Sequence, residues 1–188
     1  MSLNKNIIKY TNKEIMNISS NKIKIAKNTK DIMLFVKQEL NKKTSNSKLY
    51  FGKINDITSN RIKMLTGLDL SNYNISLKGD NVRKIIKDHG NKVLEKLRGQ
   101  EAITLEDFKH IDDIILEADN IYLSGKTINN KDVITFVKKL NNKYTLVEFI
   151  STKRKTLETQ TMYKKIKKNS VTAENTTNST FPNVRNEQ

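Results

Sequence analysis

The sequence predicts an α+β fold in which N-terminal helices are followed by a four-stranded antiparallel meander. Apolar side chains recur at helical spacing up to about residue 118, and the period then changes from about 3.6 to 2. Short polar connections separate the strand-like segments that follow, which favours hairpins. Helices that precede antiparallel strands are typical of the α+β class.

Residues 1–46 are rich in lysine and asparagine and predict an N-terminal extension that is partly helical. Within it, "TKDIMLFVKQELNKK" predicts one amphipathic helix, with Thr29 or Asp31 as the N-cap. The apolar residues near helical spacing are Ile32, Phe35, Val36 and Leu40. We expect a linker at "TSNS" and one α+β domain over residues 47–168.

The first half of this domain predicts one strand and several helices. "KLYFGKI" reads as a strand, and "DITSNRIKMLTG" reads as a helix ended by Gly67. "DNVRKIIKDHG" predicts a helix with Asp80 as its cap and Gly90 as its end. "NKVLEKLRG" predicts a third helix, which carries Val93, Leu94 and Leu97 and ends at Gly99.

A fourth helix is predicted over "TLEDFKHIDDIILEA", which opens with a capping box at Thr104. Its expected buried residues are Phe108, Ile111, Ile114 and Ile115. Four strand candidates follow: "NIYLSG", "DVITFVKKL", "YTLVEFIST" and "TQTMYKK". Residues 169–188 lack apolar periodicity and predict a disordered tail.

The formal net charge of +15 and the pI of about 9.8 predict a polyanionic partner. An AT-rich coding bias would also produce many lysines. However, the charge is polarised, because residues 101–120 are acidic and their neighbours are basic, and this favours oriented binding. No apolar run is long enough for a membrane span, and the N-terminus does not read as a secretory signal.

His89 is the first candidate functional residue, because it continues the apolar stripe of its helix at the C-terminal end. One interpretation is a packed histidine at a helix terminus. The other is a general acid or base, whose cationic form the helix dipole favours. His110 lies among charged residues and is expected at the surface.

The second candidate is the stretch "STKRKTLETQTMYKK". If residues 160–164 form a strand, Thr161 and Tyr163 share one face and Met162 enters the core. Hydroxyls beside Lys153 and Arg154 could hold a phosphodiester. The alternative is an edge strand with a basic, solvated face.

Several kinds of site find no support in the sequence. The chain has no cysteine and two histidines, so a zinc site is improbable. There is no Gly-rich phosphate loop and no Ser–His–Asp grouping. We therefore expect no metal and no cofactor.

The chain resembles the phage barnase–EndoU–colicin–RelE-like nuclease domains, in particular their third subgroup, over about residues 48–168. The motifs that carry the resemblance are "KDHG", "RGQEAITLEDF" and "STKRK" followed by "TMYKK". The resemblance implies an RNase-like fold and a metal-independent endoribonuclease. Such an enzyme uses the ribose 2′-hydroxyl to attack the adjacent phosphate and leaves a 2′,3′-cyclic phosphate.

The resemblance also implies roles for individual residues. The catalytic residues would be His89, Arg154, Thr161 and Tyr163. Of the phosphate-binding candidates, the resemblance implies Lys153. The others are candidates because of their residue types and positions: Arg98, Ser151, Thr152 and Lys155. His89 would act as the acid or base, provided that it can reach Thr161 and Tyr163.

Three functions stay open at this point. The first is an RNA-cleaving toxin or effector of phage or mobile-element origin, which acts in the bacterial cytoplasm or is delivered with a phage particle. The second is a non-catalytic basic module that binds nucleic acid or a bacterial defence protein. The third is a structural protein of a virion or of conjugation. A protein inhibitor is a further expected partner of a toxin.

Overall fold

The computed structural model describes residues 23–140, 143–144 and 147–166. Within these ranges the chain forms a mixed α+β structure. Five α-helices are present in them: α1 (Thr29–Leu40), α2 (Asp56–Thr66), α3 (Gly79–His89), α4 (Lys92–Leu97) and α5 (Ile111–Leu116). Short 3₁₀ helices cover Leu105–His110 and Thr152–Arg154. No helix in the described ranges could cross a membrane.

The strands belong to two sheets. The larger sheet contains β1 (Ile23–Ile25), β2 (Lys48–Lys53), β3 (Asn74–Lys78), β5 (Asn120–Lys126), β6 (Asp132–Val137), β9 (Val147–Ser151) and β10 (Thr156–Thr161). The smaller sheet contains β4 (Gln100–Glu101), β7 (Lys139–Leu140), β8 (Lys143–Tyr144) and β11 (Lys164–Ile166).

The larger sheet is mixed, with the strand order β1-β2-β3-β10-β9-β6-β5. Antiparallel pairs join β5 to β6, β6 to β9 and β9 to β10. However, β10 also pairs in parallel with β3, and β1 pairs in parallel with β2. The expected four-stranded meander is therefore not a sheet of its own, because the earlier strands β1, β2 and β3 extend it.

The core lies between the larger sheet and the helices. It includes Ile75, Leu77 and Leu157 from the sheet, which are all fully buried. Phe35 and Val36 of α1 are also fully buried in the same apolar cluster, so this helix packs as part of the core. The division of the chain at residue 46 stays a prediction, and the expected tail over 169–188 lies outside the described residues.

Local sequence patterns correctly predicted two of the helix ends. Gly67 ends α2 in the left-handed conformation at φ 75°, as expected, and Thr104 forms the predicted capping box with Asp107. Two N-caps differ from the expectation. Asn28 caps α1, because its side-chain oxygen accepts from two backbone amides of the first turn, and α3 starts at Gly79 directly after β3.

Helix α4 forms as predicted, but its apolar side chains face the solvent and its acidic side chain faces the interior. Val93 and Leu97 are 70% and 80% exposed, whereas Glu95 is fully buried. The carboxylate of Glu95 pairs with side chains of neighbouring segments. The orientation of this helix is therefore set by charge pairing and not by its apolar residues.

The last predicted strand is shifted toward the N-terminus. Strand β10 covers Thr156–Thr161 and ends before Met162 and Tyr163, whereas the sequence predicted a strand over "TQTMYKK", residues 159–165. Met162 is buried at 2% exposure, as predicted. Strand β3 was not anticipated, and its pairing with β10 explains the shift, since Thr156 lies opposite Asn74.

Candidate active site

His89 is the last residue of α3, and Gly90 is the C-cap of this helix. The backbone amide of Ile103 donates to the carbonyl oxygen of His89 at 2.7 Å, which fixes the helix end against the segment that follows β4. The side chain of His89 is 17% exposed. The ring is therefore held in place and still reaches the surface.

Glu95 of α4 holds one nitrogen of this ring. Nδ1 of His89 lies 3.3 Å from Oε2 of Glu95, and the carboxylate is fully buried. An ionised carboxylate can only accept, so Nδ1 donates its proton to Glu95. The lone pair of the neutral ring is then on Nε2, on the side away from Glu95.

Arg98 shares the same carboxylate. Its Nη1 donates to Oε1 of Glu95 at 2.5 Å and to the carbonyl oxygen of Asp88 at 2.9 Å. Half of the Arg98 side chain is exposed. Glu95 therefore joins an imidazole and a guanidinium at one surface position.

Tyr163 completes the cluster from the other side. Its ring centroid lies 5.7 Å from that of His89, with the ring planes inclined by 36°. The ammonium group of Lys165 lies 5.6 Å from the centroid of Tyr163, in the range of a cation–π contact. We call His89, Glu95, Arg98, Tyr163 and Lys165 the histidine cluster.

Lys164 anchors the segment that carries Tyr163. Its ammonium group pairs with Asp107 at 2.9 Å and with Glu101 at 3.4 Å. Burial of Asp107 alone would raise its pKa, but hydrogen bonds from Lys164 and Thr104 lower it below the usual value. Strand β11 is therefore tied to the capping box and to β4, which fixes the position of Tyr163.

The structure places the remaining predicted residues along β10 and the turn before it. Thr161 is the last residue of β10 and is half-buried. Thr152, Lys153 and Arg154 form an exposed 3₁₀ turn at the other end of the strand. Lys155 follows in the left-handed conformation at φ 45°.

Ser151 is the last residue of β9, where it pairs with Thr156. Its backbone thus lies at the turn that carries Lys153 and Arg154.

Lys153 and Arg154 line a groove of about 380 Å³, which we call the basic groove. Other residues that line it are Lys78, Lys131, Asp132 and Glu158. Strand β10 spans about 17 Å from Thr156 to Thr161, at about 3.3 Å per residue. The structure therefore brings His89, Arg98 and Tyr163 together and leaves Lys153 and Arg154 at the far end of β10.

Glu158 lies at the floor of the basic groove and is paired with two lysines. Lys48 donates to its Oε2, and the Lys78 ammonium lies 2.8 Å from its Oε1. Burial alone would raise the pKa of Glu158, but the hydrogen bonds from Lys48 and Lys78 lower it below the usual value. The carboxylate is thus ionised, and the two ammonium groups neutralise its charge.

Glu95 and Lys165 were not anticipated as parts of the site. Glu95 stands in a short helix whose apolar residues suggested the opposite orientation, so no local pattern indicates its burial. Lys165 is the last residue of the motif "TMYKK", but no role in the site was predicted for it. Among the described residues, no group of three or more His, Asp or Glu side chains is placed to hold a metal ion.

A mixed α+β fold with a histidine, a tyrosine and cations at its surface fits a nuclease of the barnase-like class. The family model for the phage-Barnase-EndoU-ColicinE5/D-RelE like nuclease3 matches residues 52–171. Since the match covers more than half of the chain, the protein belongs to this family. No curated protein and no solved structure matches the chain significantly.

Proposed function

We propose that the protein is a metal-independent endoribonuclease whose reaction takes place at the histidine cluster. The observation that carries this proposal is the packing of His89 between Glu95 and Tyr163, in a chain that belongs to a nuclease family. Cleavage of a phosphoester by an internal hydroxyl requires an acid and a base, with cationic groups beside them.

In the proposed step, Nε2 of His89 takes the proton of a ribose 2′-hydroxyl. The O2′–P bond forms and the P–O5′ bond breaks, which leaves a 2′,3′-cyclic phosphate and a 5′-hydroxyl. Tyr163 donates the proton that the departing O5′ requires. Arg98 and Lys165 stabilise the negative charge that develops on the phosphorane oxygens.

Arg154 and Lys153 have a different role in this proposal than the sequence suggested. Because β10 separates them from His89, they contact a phosphate elsewhere on the bound strand and not the reacting one. Thr161 lies two residues before Tyr163 and orients the strand next to the reacting phosphate. Ser151, Thr152 and Lys155 flank the distant phosphate contact.

Purified protein incubated with tRNA and total RNA in the presence of EDTA tests the reaction. We expect cleavage products that end in a 2′,3′-cyclic phosphate, and cleavage that is about 10²- to 10⁴-fold slower with His89→Ala. His110→Ala is the matched control, because His110 pairs with Asp113 and is not a member of the histidine cluster. Activity that EDTA abolishes would contradict the metal-independent route.

A toxin or effector role follows from uncontrolled RNA cleavage, and it predicts a protein inhibitor as a partner. Induced expression of the wild-type chain in bacteria should stop growth, whereas expression of His89→Ala should not. If both chains bind RNA without cutting it, the protein is a binding module that has kept the nuclease fold.

A further inference from the structure

The face of the larger sheet that points away from the helices carries an ordered row of side chains. Directly paired residues on neighbouring strands lie on the same face. The register therefore aligns four residues across β1, β2, β3 and β10: Ile25, Tyr50, Ser76 and Glu158. Their neighbours in sequence, such as Leu49 and Leu77, enter the core.

An apolar pocket lies at one end of this row. Its volume is about 550 Å³, and it is lined by Ile25, Tyr50, Gly52, Lys53 and Asn74. Ile25 is 75% exposed on an edge strand, and the Lys48 ammonium lies 5.7 Å from the centroid of the Tyr50 ring. This pocket offers an aromatic face, with a cation beside it, to a planar ligand.

The basic groove lies at the other end of the row. Neither Lys153 nor Arg154 pairs with an acidic side chain in the described part of the chain, and both are exposed. The carboxylates of the groove do not cancel their charge, because Lys48 and Lys78 neutralise Glu158 and Lys126 pairs with Asp132. The groove therefore suits an anion.

Ser76 stands between the pocket and the groove and is fully buried. Its hydroxyl has no hydrogen-bond partner within the described ranges. Buried hydroxyls are rarely left unpaired in native structures. Because this oxygen is inaccessible to solvent, it does not contact a ligand at the surface, and the pocket and the groove provide the binding groups.

The strands that carry Tyr50 and Glu158, a residue that lines the basic groove, are close enough for consecutive parts of one nucleotide chain to contact both. Strands β2 and β10 are separated by β3 alone, so they lie about 10 Å apart at about 4.8 Å per strand. A base and a phosphate of adjacent units can bridge such a distance. A paired base could not enter the pocket, because its faces are covered by its neighbours in the duplex.

We propose that this face binds an unpaired stretch of RNA, with one base stacked on Tyr50 and a nearby phosphate in the basic groove. The choice of RNA rests on the proposed function. The net charge of +15 and the cations of the groove provide the charge complementarity. The face is a binding surface that lies apart from the histidine cluster.

Binding of a fluorescein-labelled, unstructured oligoribonucleotide by the full chain tests the proposal. All variants carry His89→Ala, so that the labelled RNA is not cut during the titration. We expect Tyr50→Ala to weaken binding by about tenfold, the order of one stacked base, and Tyr50→Phe to retain binding. A hairpin RNA of the same composition should bind more weakly.

The double variant K153A/R154A tests the groove with exposed residues that do not contribute to the core. Its binding should be weaker, and the slope of log K against log salt should fall by about 0.7 for each lost phosphate contact. K30A/K37A is the matched control, since both lysines are exposed on α1. This control removes the same number of positive charges from the side of the fold that carries the helices.

The outcomes separate this proposal from the proposed function. If Tyr50→Ala and K153A/R154A both bind like the parent chain, the sheet face is not the binding surface and the proposal is overturned. If these variants lose affinity while the chain with His89 restored cuts no RNA, the binding face stands and the catalytic function fails. Circular dichroism confirms that Tyr50→Ala is folded.

Discussion

The ring of His89 and the ring of Tyr163 lie 5.7 Å apart, although the two residues are distant in the sequence. Helix α3 presents the histidine at its C-terminal end, and the segment after β10 presents the tyrosine. Glu95 and Lys164 fix the two sides by separate ion pairs. The cluster is thus assembled by contacts that no local motif contains.

The first prediction concerns His89 as the acid–base residue. His89→Ala should lower the cleavage rate by about 10²- to 10⁴-fold, the usual contribution of a positioned acid or base. Single-turnover cleavage of a defined RNA measures the effect. An unchanged rate would remove His89 from the mechanism, and His110→Ala should leave the rate as it is.

The second prediction concerns Glu95 as a positioning residue. Glu95→Gln should lower kcat more than it changes KM, because the amide holds the Nδ1 proton less strongly and leaves Arg98 without its carboxylate. It should also destabilise the fold by about 3 kcal/mol, as expected when a buried ion pair loses one partner.

Glu39→Gln is the matched control for Glu95. Glu39 is equally buried and pairs with Lys42 and Arg83, away from His89. The Glu39→Gln variant should be less stable than the wild type, but its kcat should be unchanged at temperatures well below the unfolding transition. Equal effects of both variants on kcat would reduce Glu95 to a structural role.

The third prediction concerns the pH dependence of stability at Glu158. Its pKa in the folded state lies below the ordinary value of 4.5. Its pairing with Lys48 and Lys78 therefore stabilises the fold above that value and is lost as the pH falls through the folded-state pKa. Urea unfolding between neutral and acidic pH measures this loss.

Glu158→Gln separates this carboxylate from other acids. The variant should be less stable at neutral pH by about 3 kcal/mol, and its stability should fall less steeply on acidification. Parallel curves for the two proteins would show that other carboxylates dominate the acid sensitivity.

The fourth prediction concerns the orientation of α4. Because Val93 and Leu97 are exposed, replacing each by serine should change the free energy of unfolding by no more than about 0.5 kcal/mol. Phe108→Ala, in the core, should cost about 3–5 kcal/mol. A large loss for Leu97→Ser would mean that α4 packs through its apolar side chains.

The sequence by itself determined the features that depend on neighbouring residues. The end of α2 at Gly67 and the capping box at Thr104 require hydrogen bonds within one turn, so a local pattern specifies them. The burial of Met162 and the nuclease family membership were also predictable. The latter rests on motifs and not on geometry.

Only the tertiary structure decided which candidate residues meet. The parallel pairing of β3 with β10 shifts the last strand and places Arg154 far from His89, and the burial of Glu95 reverses the face of α4. These outcomes depend on contacts between segments that are distant in the chain. A local pattern cannot contain them, since pairing register and ion-pair geometry exist only after the segments have packed.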